Sequence, residues 1–131
     1  MKFYFAARTR HKDMIKEVIG DLINKNHEIS FDWTILEDLT PFNQNQDKCK
    51  KTAENISMAL NDTDVFVLIS DLAGTDMFVE LGIAIANFMS NNKPKIYIVG
   101  EHNKRSLMHL HLSVIHVDDL EEVFVREGVG F

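Results

Sequence analysis

"DVFVLIS", Asp64 to Ser70, is the stretch that decides the architecture. Val65 to Ile69 are apolar without a break, and polar residues crowd both ends, "NDT" before and "SD" after. A short continuous apolar run is how a strand buried on both faces of a parallel sheet reads. After the turn residues Ala73 and Gly74, Phe78, Leu81, Ala84, Ile85 and Phe88 recur at helical spacing, with Thr75 or Asp76 as the expected cap. Strand, short turn and helix make half of a βαβ unit, and the rest of the chain repeats that alternation.

Upstream, "KFYFAA" reads as a first strand, and Met14, Ile15, Val18, Ile19, Leu22 and Ile23 stripe a helix from His11 to Asn24. "HEISFDW" alternates Ile29, Phe31 and Trp33 on one side and reads as a second strand. "TILEDLTPFNQNQ" is polar and irregular around Pro41, a loop by composition. A helix from about Asp47 to Leu60 follows, with Ala53, Ile56 and Leu60 facing inward. Downstream, "KPKIYIVG" and "LSVIHV" are the fourth and fifth strands, and "DDLEEVFVRE" is a closing helix capped by Asp118 or Asp119. The expected fold is α/β: one domain over 1–131, a doubly wound five-stranded parallel sheet with helices on both faces, of Rossmann or flavodoxin type.

A chain of 131 residues with 45% hydrophobic and 26% charged residues is long enough to bury a real core. The net charge of −6 argues against a polymeric nucleic acid as partner, which needs clustered positive charge, but permits a small anion held by a few arginines. Cys49 has no second cysteine to pair with, no apolar run is long enough for a membrane, and the start lacks a signal-peptide pattern. A reducing cytoplasm is the expected setting. There is no G-x-G-x-x-G and no P-loop. His102, His109, His111 and His116 straddle a loop, a short helix and a strand without metal-ligand spacing. No metal and no organic cofactor is expected.

In an open parallel sheet, ligands bind beyond the carboxyl ends of the strands. "AARTRH", "DWT", "SDLAGTD" and "GEHNKRS" leave strands at that edge and carry Arg8, Arg10, Asp32, Trp33, Asp71, Thr75, Asp76, Arg105 and Ser106. Glu80 is expected in the first turn of the next helix, between two apolar stretches. There it either complements the helix dipole or serves as a nucleophile or general base, and spacing alone leaves both readings open.

The chain resembles the nucleoside 2-deoxyribosyltransferase superfamily, which includes the 2'-deoxynucleoside 5'-phosphate N-hydrolases. Four segments carry the likeness in order: "FYFAARTR", "FDWT", "NDTDVFVLISDLAGTDMFVELGIAIA" with its E-L-G-x-A, and "RSLMHL". The resemblance implies that Glu80 attacks the anomeric carbon of a deoxyribosyl group. The sugar is then passed to a base or to water with retained configuration. It implies that Tyr4 orients Glu80, and that the loop after the first strand, from Ala6 through Arg8, binds substrate. Arg10 would lie near a 5'-phosphate, Trp33 would stack on the base, and Gly74 and Thr75 would contact sugar or phosphate. Ser106 and Met108 would complete a neighbouring subunit's pocket, so a homodimer or an assembly of dimers is expected. Asp64 matches an acidic position that is better read as structural.

One position departs from the pattern. Relatives carry an aspartate in the helix before the central strand that assists the leaving base. A gapless match puts Ile56 there, and a one-residue shift puts Asn55 there, with Glu54 beside it. The proton then comes from Glu54, Asp71 or Asp76, or from none of them. Two other readings stay open: a nucleotide-binding sensor that has lost turnover, and a TIR-like or response-regulator-like signalling domain.

Overall fold

The computed structural model describes residues 1–130. In chain order the elements are β1 (Lys2–Ala6), α1 (Lys12–Asn24), β2 (Glu28–Ile29), α2 (Gln46–Leu60), β3 (Val65–Ile69), α3 (Asp76–Asn91), β4 (Lys95–Val99), β5 (Val114–Val117) and α4 (Leu120–Arg126). The five strands form one parallel sheet in the order β2-β1-β3-β4-β5, the doubly wound flavodoxin-like arrangement that the alternation predicts.

Side-chain alternation along the strands builds two cores. Phe3, Phe5, Val65, Val67, Tyr97 and Val99 point to one face, where Ile15, Ile19 and Leu22 of α1 and Val123 and Phe124 of α4 cover them. Tyr4, Ala6, Phe66, Leu68, Ile96 and Ile98 point to the other, under Leu60 of α2 and Met77, Leu81, Ala84 and Ile85 of α3. Each buried large side chain contributes on the order of 1.5–3 kcal/mol, so β1, β3 and β4, apolar on both faces, anchor the molecule. α2 is attached differently from α3: Leu60, at its C-terminal end, is its sole fully buried residue.

Three expectations need correction. β2 spans only Glu28–Ile29 rather than 27–33. Its pairing ends at Phe3↔Ile29, after which the Ser30 N–H and hydroxyl both donate to the Phe3 carbonyl. Trp33 instead opens a 3-10 turn, and its indole N–H donates to the Phe5 carbonyl at 2.6 Å, replacing a ladder bond with a side-chain bond. The expected loop over 34–46 also holds a second 3-10 turn at Phe42–Gln44. Finally, Thr75 takes the N-cap position of α3 but makes no side-chain cap bond, while Asp119 does cap α4 through the Glu122 N–H at 2.9 Å.

The order of strands reverses between β1 and β3. That places the segments leaving Ala6 and Ile69 side by side, at the crevice such folds use for ligands.

Candidate active site

Glu80 sits in the second turn of α3, on the flank turned toward β1. The Tyr4 hydroxyl, fully buried in the middle of that strand, donates to Glu80 Oε1 across 76 residues of sequence. Burial pushes the Glu80 carboxyl up from 4.5 to about 7; the Tyr4 hydrogen bond partly offsets this, and the negative charge of Asp76 adds to it. Burial also drives the Tyr4 phenol well above its ordinary range, and the charge of Glu80 drives it further. Tyr4 therefore stays a donor, while Glu80 exchanges its proton near neutrality.

Asp76 and Glu80 are four residues apart on α3 and share one face of it. Both line a cleft of about 340 Å³ between α2, α3 and the 39–42 segment. Its other walls are mainly apolar: Leu39, Phe42, Ala53, Ile56, Val79 and Ile83. Two carboxylates in an apolar slot suit a ligand that combines a flat, weakly polar body with a polar reacting end.

Just past the end of β3, Asp71 is buried to 3% exposure yet met by basic side chains. Arg10 Nε donates to it at 2.6 Å, and His11 Nε2 lies at 3.1 Å. The Ala73 N–H donates at 3.1 Å, and Arg8 approaches to 3.9 Å. Burial alone would raise the Asp71 carboxyl. The Ala73, His11 and Arg10 hydrogen bonds outweigh it and hold the group far below the usual carboxylate range. Asp71 is thus permanently ionised and has no proton to deliver.

The remaining residues fall into place around these two centres. Gly74 has φ +148°, a conformation that other residues rarely adopt, so its backbone alone accounts for the glycine, and a Cβ there would also displace the Met77 thioether. Thr75 is exposed beside it. Ala6 is sealed in the core and presents no side chain to the cleft. Trp33 is half-buried, bridges the two cores and is tethered by its indole N–H, so its ring is not free to swing over a ligand. Glu54 and Asn55 are not brought to the cleft. Thr52, Ala53, Ile56 and Ser57 face it, whereas Asn55 lines a groove on the other side of α2 with Met58 and Lys2. Asp64 accepts from the Lys2 N–H at 2.8 Å and pairs with Lys93, fastening the start of β1.

Ser106 and Met108 belong to a segment that meets α3 elsewhere, at Phe78. The His109 ring packs on Phe78 at 5.7 Å, and the Arg105 guanidinium lies 5.8 Å from the centre of the Phe78 ring. Ser106 is exposed, accepts from the His109 N–H and shares a hydrogen with His109 Nδ1. Met108 is 49% exposed. Neither lines the cleft of its own chain. His116 Nε2 meets the His109 carbonyl and His111 Nδ1 meets Ser113, so these histidines are engaged locally. Among the described residues no three His, Cys, Asp or Glu side chains are grouped to hold a metal ion, and no helix is long and apolar enough to cross a membrane.

Sequence reasoning passed over His11 and the apolar lining. Val79 and Ile83 were within reach, since 76, 79, 80 and 83 fall on one helical face. Leu39 and Phe42 carried no signal, because no periodicity marks an irregular segment.

The geometry defines a doubly wound α/β protein with a carboxylate-bearing cleft at its strand ends. That fold is shared with the solved structure of a CMP N-glycosidase from Clostridium botulinum, BcmB, at a TM-score of 0.63 over 97% of each chain and 16% sequence identity. No family model and no curated protein sequence matches the chain.

Proposed function

We propose that the protein cleaves the N-glycosidic bond of 2'-deoxynucleosides or their 5'-monophosphates through a covalent deoxyribosyl-Glu80 intermediate. The observation that carries this reading is the Tyr4–Glu80 pair, a half-buried carboxylate held by a buried phenol at the mouth of an apolar cleft. The ionised Glu80 attacks the anomeric carbon and the carbon–nitrogen bond breaks. Its electron pair leaves with the base, which takes up a proton, and the sugar stays esterified to Glu80. A second base, or water, then attacks from the opposite face and releases the carboxylate, so configuration is retained. The donated Tyr4 hydrogen bond orients Glu80 and favours its charged form. The fold shared with a CMP N-glycosidase and the ordered resemblance of the four sequence segments both support this chemistry.

A homodimer, or an assembly of dimers, belongs to the same proposal. Val79, Gly82, Ile83, Ala86 and Met89 run as an exposed or half-exposed apolar stripe down α3, and Leu107 and Leu112 stand 85% and 88% exposed. The Phe78–His109 contact joins the 106–110 segment to α3, so a second copy packed along this stripe would meet both elements.

One observation favours a second reading, a nucleotide-binding sensor without turnover: Ile56 faces the cleft at the position where a proton donor is expected. Chromatography of free base decides between them. Nucleosides and 5'-monophosphates are incubated with wild type and Glu80→Ala, with and without an acceptor base. Glu80-dependent release establishes the glycosidic reaction. Binding without release from any substrate favours the sensor.

A further inference from the structure

We propose that the Glu80 cleft prefers N-glycosides whose base already carries a positive charge on a quaternised ring nitrogen over those of neutral purines and pyrimidines. The inference rests on the glycosidic reaction proposed above and names the class of base that it releases. Charge is the first observation. Asp76 and Glu80 both line the cleft, and among the described residues lining it there is no Lys, Arg or His. Apolar walls focus the field of such a pair into the space between them, and the chain's net charge of −6 adds to it. Phe42 lines the same cleft with an aromatic ring, which attracts a cation laid over its face.

The supply of protons is the second observation. A neutral base departs as an anion unless a proton reaches it, and the cleft wall is poor in groups that give one up. Ile56 stands where a donor is expected. The Ser57 hydroxyl spends its hydrogen on the Ala53 carbonyl at 2.8 Å, and the Cys49 thiol faces the Phe42 carbonyl at 3.9 Å. The Thr52 hydroxyl can hydrogen-bond a base but is too weak an acid to protonate it. Asp76 acts on Glu80 as a negative charge, and the Tyr4 phenol is committed to Glu80 itself. A cationic base needs no donor. The Glu80 carboxylate oxygen bonds to the anomeric carbon, the carbon–nitrogen bond breaks, and its electron pair cancels the charge on the ring nitrogen, so the base leaves neutral. Water then attacks the same carbon from the opposite face, gives its proton to solvent and frees the carboxylate. While bound, the cation favours the ionised form of Glu80, which burial opposes.

The test compares kcat/KM for 7-methyl-2'-deoxyguanosine, under mildly acidic conditions that keep it cationic, with that for 2'-deoxyguanosine. Wild type and Asp76→Asn are run together; Asp76 is exposed, so the substitution leaves the core untouched. Wild type should favour the cationic substrate, and the preference should fall about ten-fold in Asp76→Asn, as expected when one charge of a partly desolvated pair is removed. The greater chemical lability of the cationic substrate cancels in that comparison between proteins. Equal kcat/KM for the two substrates in wild type, or a preference that Asp76→Asn leaves unchanged, overturns the inference and leaves the glycosidic reaction standing. Should neither substrate release its base, the reaction itself fails and binding decides this inference separately. Glu80→Gln is then titrated calorimetrically with a pyridinium 2'-deoxyriboside and with its phenyl C-glycoside, which has the same shape without the charge. Binding of the pyridinium about ten-fold tighter upholds the preference for a cation. Equal binding of the two, or binding of neither, sinks it.

Discussion

Replacing Glu80 by glutamine should make the protein inactive and, as pH rises from about 4.5 through 7, increasingly more stable than wild type. Glu80 is raised from 4.5 to about 7 because burial disfavours its charge. A group that binds its proton more tightly when folded gives most stability below its unfolded value and loses it as pH climbs through the folded value. The rise from 4.5 to about 7, at about 1.4 kcal/mol per pH unit, sets an upper limit of about 3.5 kcal/mol, and residual solvent contact reduces it to about 2 kcal/mol. Glutamine has no proton to lose. Glu80→Gln should therefore match wild type near pH 4 and exceed it by about 2 kcal/mol at pH 8, a gain of roughly 5–10 °C in melting temperature. Calorimetry at the two pH values reads this directly. In parallel, wild-type kcat/KM should climb with pH to a plateau with a midpoint near 7, as the nucleophile ionises. A stability difference equal at both pH values would refute the reasoning, as would turnover that is flat from acid to neutral pH.

Tyr4→Phe removes the hydrogen bond that lowers Glu80, so the midpoint of the pH–rate profile should move upward and kcat/KM near pH 6.5 should drop about ten-fold. Asp76→Asn removes a charge that raises Glu80, and the same midpoint should move downward; a change in height without a change in position would assign Asp76 another part. Met89 is 71% exposed on the apolar stripe of α3, and Met89→Asp should convert a dimer to monomers in sedimentation while the melting temperature of the monomer stays within a few degrees. A wild type that sediments as a monomer at all concentrations would remove the dimer.

The parallel sheet was legible because burial on both faces leaves an unmistakable apolar run, and "DVFVLIS" has no other use. α1 and α3 were legible from spacing, though Met14 and Ile23 turned out exposed where the stripe exceeded the width of the contact. β2 was not legible at its far end. Phe31 and Trp33 alternate as a strand would, but they are apolar because they pack over the sheet's end, and packing on an edge mimics pairing with it. Glu80 and Tyr4 could be named from sequence, but their contact spans 76 residues and only the fold creates it. Asp71 was visible as a polar residue leaving a strand. That it is buried and saturated by three side chains and a backbone N–H is a tertiary fact with no local signature. The rotation of α2, which turns Ile56 inward and Asn55 away, lay within the one-residue ambiguity that sequence matching left open.

The uneven attachment of α2 gives the cleft two jaws of different stiffness. On one side α3 is bolted to the sheet by Met77, Leu81, Ala84 and Ile85, and Tyr4 reaches Glu80 from within the sheet itself. On the other, α2 is fully buried only at Leu60 and half-buried at Ile56, while Thr52 and Ala53 reach the cleft from the length beyond. Such an element opens at low free-energy cost, pivoting at its buried end. The molecule thus works like a calliper: the fixed jaw holds the reacting atoms in register, and the compliant jaw takes up differences in the size of whatever lies against it. Tolerance for large and small ligands is then set by how α2 is hinged, and the placement of the nucleophile is untouched by it.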